Sequence, residues 1–203
     1  MPAPIHDLIL IKGKTFKESM LYGEDQKIYK PITALVSQAP VQITCPDHGV
    51  PLNWACRVES ALSPLGLNTP EGSWIIPRIV DNNTLEINNL NLLHAEAFSG
   101  PAVLIYQKPA DITGWVFRAQ IRDKVGGQVL ATFSSNPADA SEFLITVDAV
   151  NSSFTLHISA VDTENLTWSR GVYDVEALLP DGTVLAIVSP SKVSVEREVT
   201  VWA

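Results

Sequence analysis

The sequence has 203 residues, of which 46% are hydrophobic and 18% charged, as in a folded chain long enough to bury a sizeable core. Its formal net charge of -8 disfavours nucleic acid as a partner, because phosphate groups would be repelled. The longest apolar runs, such as Leu8–Ile11 and Val184–Val188, are far shorter than the ~20 residues that cross a bilayer. We therefore expect neither a nucleic-acid nor a membrane partner. The first residues lack the pattern of a secretory signal, which predicts a chain made in the cytoplasm.

In chain order, a strand signal over Asp7–Lys12 comes first, and a region of different character follows from Tyr22 to Ala110. Prolines recur throughout that region, and they break it into short pieces. The pieces that carry strand signals are enough to close a small barrel: Val41–Cys45, Trp54–Val58, Ser73–Ile76, Thr84–Ile87 and Ala102–Tyr106.

Strand signals then dominate the rest of the chain, at Trp115–Arg122, Phe143–Val147, Ser153–Ser159, Val172–Leu179, Thr183–Val188 and Val193–Val201. In the first of these, Phe117 and Ile121 alternate with Arg118 and Arg122, as in a half-buried antiparallel strand. Leu179–Thr183 predicts a hairpin turn, because proline fixes φ and glycine accepts a left-handed conformation. The one helical signal covers Val161–Trp168, with Asp162 or Thr163 as the N-cap. The pattern predicts an all-β protein.

Several of these segments resemble a β-sandwich module found in bacteriophage tail fibres and baseplates. The resemblance is carried by Asp7–Phe16 and by the run Ile112–Arg122, and it continues through Phe154–Ser159, Tyr173–Glu176 and Val193–Thr200. It departs at Ser189–Ser191, where such modules often have a glycine. The resemblance implies an antiparallel β-sandwich formed by both chain ends, residues 1–21 and 111–203.

Residues 22–110 then form an insertion into that sandwich. Pro31–Val50, Leu67–Asn68 and Ile87–Asn89 resemble a small β-barrel of phage virion proteins, which is similar to the first catalytic-cysteine half-domain of ubiquitin-activating enzymes. A shared fold does not carry function, so the resemblance implies a nested barrel without that chemistry. An insertion of this kind leaves the outer sheet intact if its two ends lie close together.

No set of residues in the sequence predicts a catalytic, cofactor or metal site. Cys45, His48 and Cys56 provide too few ligands for tetrahedral zinc, so we interpret the cysteines as small buried hydrophobes, with a disulfide or a metal site as less favoured alternatives. His48 is expected to bond a backbone carbonyl in a tight turn, and His157 to face solvent from a strand. His6 and His94 lie in unrelated contexts.

The other polar patterns also favour structural roles. Asp174 and Glu176 share one face of a strand, with Arg118 and Arg122 as expected cross-strand partners. Gly126 and Gly127 precede a strand rather than a helix, unlike a phosphate loop.

The five tryptophans, Trp54, Trp74, Trp115, Trp168 and Trp202, are each expected to lie in a core. The alternative is that exposed Trp54 or Trp74 stacks on a sugar, which would make the insertion a module that binds a cell-surface glycan.

The resemblance therefore implies a non-enzymatic structural protein of a tailed bacteriophage, a free-standing adaptor or fibre connector of the tail or baseplate. Its expected partners are other tail, baseplate or fibre proteins, and further copies of itself in a trimer or symmetric ring. No cofactor is expected. The predicted location is the virion tail, after assembly in the host cytoplasm.

Overall fold

A computed structural model describes residues 3–138 and 140–197. Strands account for nearly all of its regular structure, so the protein is all-β, as the sequence predicted. In chain order the strands are β1 (Leu8–Ile11), β2 (Phe16–Leu21), β3 (Gly23–Ile32), β4 (Ala34–Gln38), β5 (Val41–Thr44), β6 (Cys56–Glu59), β7 (Arg78–Asp81), β8 (Thr84–Ile87), β9 (Ala102–Pro109), β10 (Val116–Arg122), β11 (Val129–Ser134), β12 (Phe143–Asp148), β13 (Ser153–Ile158), β14 (Arg170–Leu178) and β15 (Val184–Glu196). A 3-10 turn covers Leu65–Leu67, and one helix, α1, covers Ala160–Glu164.

The chain divides into two compact units. Residues 1–22 and 111–203 make up the terminal unit, which contains both chain ends, and residues 23–110 make up the inserted unit. This division differs from the predicted one by a single residue, since the sequence placed Tyr22 with the insertion. Among the described residues no helix is long and apolar enough to cross a membrane.

The terminal unit contains one eight-stranded sheet in the order β1-β15-β14-β10-β11-β12-β13-β2. Most neighbours are antiparallel, but β1 runs parallel to β15 and β11 runs parallel to β12. The expectation of a purely antiparallel sheet is therefore wrong at these two pairs. Local alternation indicates a strand but not the direction of its neighbour, which depends on how distant segments meet.

This sheet curls until it is nearly closed. Phe117 on β10 and Phe154 on β13 stack with ring centroids 4.6 Å apart, although β11 and β12 lie between their strands in the sheet order. Three inter-strand spacings would separate them by roughly 14 Å in a flat sheet. Only a sheet that folds back on itself brings these rings together, and they form the centre of its core.

The alternation predicted for β10 is confirmed, because Phe117, Ala119 and Ile121 are at most 1% exposed. The separate strands predicted at Thr183–Val188 and Val193–Val201 are one long strand, β15. Val199, Thr200, Val201 and Trp202 lie outside the described residues.

The predicted hairpin turn is also confirmed. The amide of Leu179 donates to the carbonyl of Thr183, and Gly182 has φ 86°, a conformation that glycine adopts without steric cost. The helix begins earlier than predicted: Ser159, rather than Asp162 or Thr163, is the N-cap, and its hydroxyl oxygen accepts from the Asp162 amide. The helix ends at Glu164, so Trp168 lies beyond it.

The inserted unit has a three-stranded sheet, β3-β9-β6, and a four-stranded sheet, β4-β5-β8-β7. They enclose one core, which includes Ile43, Leu85, Leu104 and Tyr106. The strand predicted over Ser73–Ile76 does not form, since only Ile75 makes an isolated bridge, to Cys56. The single barrel expected from the resemblance is thus a pair of sheets.

The two ends of the inserted unit lie side by side, as an insertion requires. Gly23 and Pro109 are paired in the register of β3 and β9, and the ammonium Nζ of Lys108 lies 2.9 Å from the carboxylate of Glu24. A side chain at position 23 would be tightly packed, because its Cβ would lie 3.0 Å from the Trp54 ring and 3.3 Å from the Lys108 carbonyl oxygen. The glycine at this point lets β3 pass close to the buried indole of Trp54.

Candidate functional site

His48 lies in a turn of the inserted unit and uses its ring to bind backbone. Its Nε2 is 2.8 Å from the carbonyl oxygen of Asp81, and its Nδ1 accepts from the amide of Val50 at 3.0 Å. An acceptor role for Nδ1 places the ring proton on Nε2, which can then donate to Asp81. The residue is 3% exposed. The predicted structural role is confirmed, and both ring nitrogens are occupied by it.

Cys45 and Cys56 are fully buried free thiols, which confirms their interpretation as small buried hydrophobes. Burial raises the pKa of Cys45 to about 11, and burial together with the nearby Cys45 raises the pKa of Cys56 to about 12. Because the thiolate is the nucleophile and the metal ligand, both groups are in their unreactive form near neutral pH.

Tyr106 is buried beside His48 and the two cysteines. Its hydroxyl donates to the backbone carbonyl of His48, and burial raises its pKa to about 12. The residue is 1% exposed. Tyr106 and His48 therefore fasten the 45–50 turn to the sheet beneath it, which is a structural role. Within residues 3–138 and 140–197, no three His, Cys, Asp or Glu side chains come close enough to hold a metal ion.

The predicted charge ladder of the terminal unit is only partly formed. Arg118 lies opposite Glu176 in the register of β10 and β14, but its guanidinium pairs with Glu142 at 3.2 Å. Arg122 lies opposite Val172 and donates to the carbonyl of Gly127. The partner predicted for Arg122 is therefore wrong: the register of β10 and β11 shifts between Ile121 and Arg122, and the guanidinium bonds the 124–128 loop instead.

A stronger charge pair, which the sequence reading missed, lies in the inserted unit. Arg78 donates twice to Glu86, at 2.8 Å each, and Gln42 donates to the same carboxylate at 2.7 Å. These bonds lower the pKa of Glu86 to about 2. The three residues are neighbours across β5, β8 and β7, so they tie the four-stranded sheet together.

Two further histidines have polar contacts, while His94 is exposed. His157 lies on the outer side of β13, as predicted, within 2.9 Å of the Thr146 hydroxyl, and partial burial lowers its pKa. His6 lies 2.9 Å from a carboxylate oxygen of Glu18.

The tryptophans divide into buried and exposed members. Trp54 is 4% exposed and donates its indole N–H to the carbonyl of Gln107 at 2.9 Å, as expected for a core residue. Trp115 is half-buried and stacks on Phe117, and Trp168 is half-buried as well. Trp74 is 47% exposed, so its prediction as a core residue is wrong. Its segment makes a single bridge to the sheet, which partly buries Ile75 and leaves the neighbouring ring outside.

One face of the three-stranded sheet carries a row of side chains that includes Trp74. Tyr29, Ile105 and Arg57 are directly paired across β3, β9 and β6, and directly paired residues share a face. The Arg57 guanidinium carbon lies 5.8 Å from the centroid of the Trp74 ring, within cation–π distance. We call Tyr29, Ile105, Arg57 and Trp74 the aromatic row.

The two aromatic ends of the row are open, while its centre is covered. Tyr29 is 62% exposed, whereas Ile105 between Tyr29 and Arg57 is 5% exposed. Arg57 is held on two sides, by Trp74 and by Glu59, whose carboxylate lies 3.0 Å from its Nε. That oxygen lies off the N–H direction, so Nε has no aligned acceptor among the described residues. The row therefore combines two exposed rings with the partly buried ion pair of Arg57 and Glu59.

No protein-family model matches the sequence, and the comparison with curated proteins finds no match. The fold is that of an all-β protein with two compact units. The arrangement of its side chains is therefore the basis on which we assess its function. The aromatic row combines two exposed rings with a preformed ion pair. The sequence reading named only Trp74 from it, because the row joins residues far apart in the chain.

Proposed function

We propose that the protein is a structural component of the tail or baseplate of a tailed bacteriophage, where it acts as an adaptor or fibre connector. The proposal rests on the resemblance of both chain ends to a tail β-sandwich module. It assigns no catalysis and no cofactor to the chain. Its partners are other tail, baseplate or fibre proteins.

The order of strands in the terminal unit is the observation that best supports this proposal. The segments that carry the resemblance contribute β1, β10, β13, β14 and β15 to one sheet, although residues 23–110 separate the first of them from the rest. Leu8 pairs with Val193 on β15, and Ile121 pairs with Tyr173 on β14. Leu8 and Ile121 are both buried, so the two chain ends contribute to one core.

Contacts with neighbours would form at sheet edges. The strands β1 and β2 end the eight-stranded sheet, and β4 and β7 end the four-stranded one. An edge strand presents unpaired backbone groups that another chain can extend. On β1 the outward residues Ile9 and Ile11 are 59% and 41% exposed, which adds apolar area beside this edge. Such contacts need no pocket.

Quantitative mass spectrometry of purified virions tests the proposal. Particles would be collected from the strain that encodes the chain, after gradient purification and protease treatment. We expect the protein at a fixed ratio to the major tail protein in the purified particles. An abundant cytoplasmic protein serves as the control, and the purification should remove it. Presence in the lysate with absence from intact particles would contradict a structural role.

The oligomeric state is a separate part of the proposal. Symmetric particles place their parts around rotation axes, so we expect a trimer or a larger closed ring. Light scattering coupled to size-exclusion chromatography measures this directly. A species of 22.1 kDa at all concentrations would contradict self-association, while leaving the virion measurement unaffected.

A further inference from the structure

We infer that the aromatic row of the inserted unit is a binding site for a neutral oligosaccharide. This inference goes beyond the adaptor role and does not depend on it. It rests on the placement of Tyr29, Ile105, Arg57 and Trp74 across one face of the three-stranded sheet, with the two rings at its ends exposed.

The exposed rings provide the apolar part of the site. Trp74 is 47% exposed and Tyr29 is 62% exposed, and aromatic rings of this kind offer a flat apolar surface with a polar edge. The ring of Trp74 is held by the Arg57 guanidinium at 5.8 Å. A sugar ring has apolar C–H groups on its faces and hydroxyls around its rim, so it can stack on an indole while its rim meets polar neighbours.

The polar part of the site is the pair formed by Arg57 and Glu59. A hydroxyl both donates and accepts hydrogen bonds, so it can accept from a guanidinium and donate to a carboxylate at the same time. The Arg57 side chain is only 22% exposed, so its position is restricted by its neighbours. The Glu59 side chain is 42% exposed, so its carboxylate is accessible to a ligand. Because the ion pair already exists, little conformational entropy is lost when a ligand binds.

The length of the row indicates an oligosaccharide rather than a single sugar. Tyr29 and Trp74 flank β9 and β6 on opposite sides, so three inter-strand spacings, or about 14 Å, separate them. Ile105 between Tyr29 and Arg57 is only 5% exposed, so the ligand contacts the two exposed rings rather than the covered centre of the row. A ligand that reaches both rings must therefore extend over several sugar units.

Other occupants fit this surface less well. Protein interfaces are enriched in tyrosine, tryptophan and arginine but depleted of glutamate, and here Glu59 lies 3.0 Å from Arg57 beside the exposed rings. Single-stranded nucleic acid also stacks on aromatic rings, but it would meet the carboxylate of Glu59 in a chain of net charge -8. A neutral polyhydroxylated ligand uses both members of the pair without an unpaired charge.

The test uses the full chain and a printed array of defined neutral oligosaccharides of three or more hexose or N-acetylhexosamine units. The best array ligand is then titrated calorimetrically against Trp74→Ala, Tyr29→Ala and Trp74→Phe. Leu65→Ala is the matched control, since Leu65 is 71% exposed in the same unit and lies outside the row. Circular dichroism verifies that each variant is folded.

We expect saturable binding that falls at least tenfold in Trp74→Ala and severalfold in Tyr29→Ala. Trp74→Phe should retain most of the binding because it preserves a ring, and Leu65→Ala should bind as the wild type does. The inference is wrong if no array ligand binds saturably, or if Trp74→Ala binds as tightly as the wild type. It is also wrong if the row instead binds a thymidine oligonucleotide with steep salt dependence, or if Trp74→Ala abolishes self-association, which would assign the face to a second copy.

Discussion

The two units share one kind of tyrosine–histidine hydrogen bond, but the histidine ring is buried in one unit and partly exposed in the other. In each, a buried tyrosine donates its hydroxyl to the backbone carbonyl of a histidine: Tyr106 to His48 in the inserted unit, and Tyr173 to His6 in the terminal unit at 2.5 Å. The His48 ring is buried and binds backbone through both nitrogens. The His6 ring is 43% exposed and meets Glu18. A histidine next to a fastening tyrosine can thus be part of the core or remain at the surface.

The cores differ in composition as well. The terminal unit is built around stacked aromatic rings, with Phe117 between Trp115 and Phe154. The core of the inserted unit is mostly aliphatic, with two buried thiols and Tyr106 as its polar member. This contrast lets single substitutions weaken one unit while the other serves as an internal reference.

The largest effect is expected for Phe117→Ala. Removing this fully buried ring should lower the free energy of unfolding of the terminal unit by about 3–5 kcal/mol, because a cavity replaces the aromatic contacts. Hydrogen exchange read by mass spectrometry reports each unit separately. Val116→Ala, on the same strand but 37% exposed, should change stability by no more than about 0.5 kcal/mol. An equal loss of protection in β5 and β8 would contradict two separable units.

Next in size is the comparison of His48→Ala with His6→Ala. Loss of the His48 ring leaves the Asp81 carbonyl and the Val50 amide without their buried partner, at a cost of about 1–3 kcal/mol for each group that stays unsatisfied. Loss of the exposed His6 ring should cost less than about 1 kcal/mol. Chemical denaturation of the two variants measures both values. Equal destabilisation would show that burial of the ring does not decide its contribution.

Smaller effects are expected when only the tyrosine hydroxyls are removed. Tyr106→Phe and Tyr173→Phe each delete one buried hydrogen bond, so each should cost roughly 1 kcal/mol. Burial raises the pKa of both tyrosines, so neither should ionise while folded below about pH 10, which ultraviolet titration of the phenolate band can follow. A variant as stable as the wild type would mean that its hydroxyl does not fasten the neighbouring turn.

The last prediction concerns Glu86, and its effect depends on pH. Its pKa is lowered to about 2 from 4.5 by the hydrogen bonds from Arg78 and Gln42, so the folded state favours the carboxylate. The contribution of Glu86 to stability is therefore complete above about pH 4.5 and disappears as the pH falls towards 2. Glu86→Gln should be less stable than the wild type at pH 6, with a difference that shrinks on acidification. The exposed Glu71→Gln is the control, and a difference that does not change with pH would contradict this role.

The sequence predicted those parts of the fold that depend on local pattern. Alternation identified β10, the Pro-Asp-Gly turn identified the hairpin of β14 and β15, and the turn at His48 was expected to bind a carbonyl. In each case the residues that determine the structure lie within a few positions of one another. The burial of Cys45 and Cys56 followed in the same way from residue type.

The parts that the sequence did not predict depend on distant contacts. Strand β3 reads as polar and contains Pro31, yet it forms a ten-residue edge strand because β9 pairs with it. Trp74 was expected inside because tryptophan is usually buried, but its segment joins the sheet through Ile75 alone. The aromatic row could not be predicted, since Tyr29, Arg57 and Ile105 meet only through the register of three strands.

The central claim is that both chain ends form one sheet and that residues 23–110 are inserted into it as a separate unit. The most direct test replaces residues 23–110 with a four-residue glycine-serine linker and measures urea unfolding through the fluorescence of the tryptophans that remain, Trp115, Trp168 and Trp202. The paired positions Gly23 and Pro109 make such a linker long enough. We predict one cooperative transition, with a midpoint close to that of the terminal unit in the full chain. A shortened protein without a cooperative transition would contradict the claim.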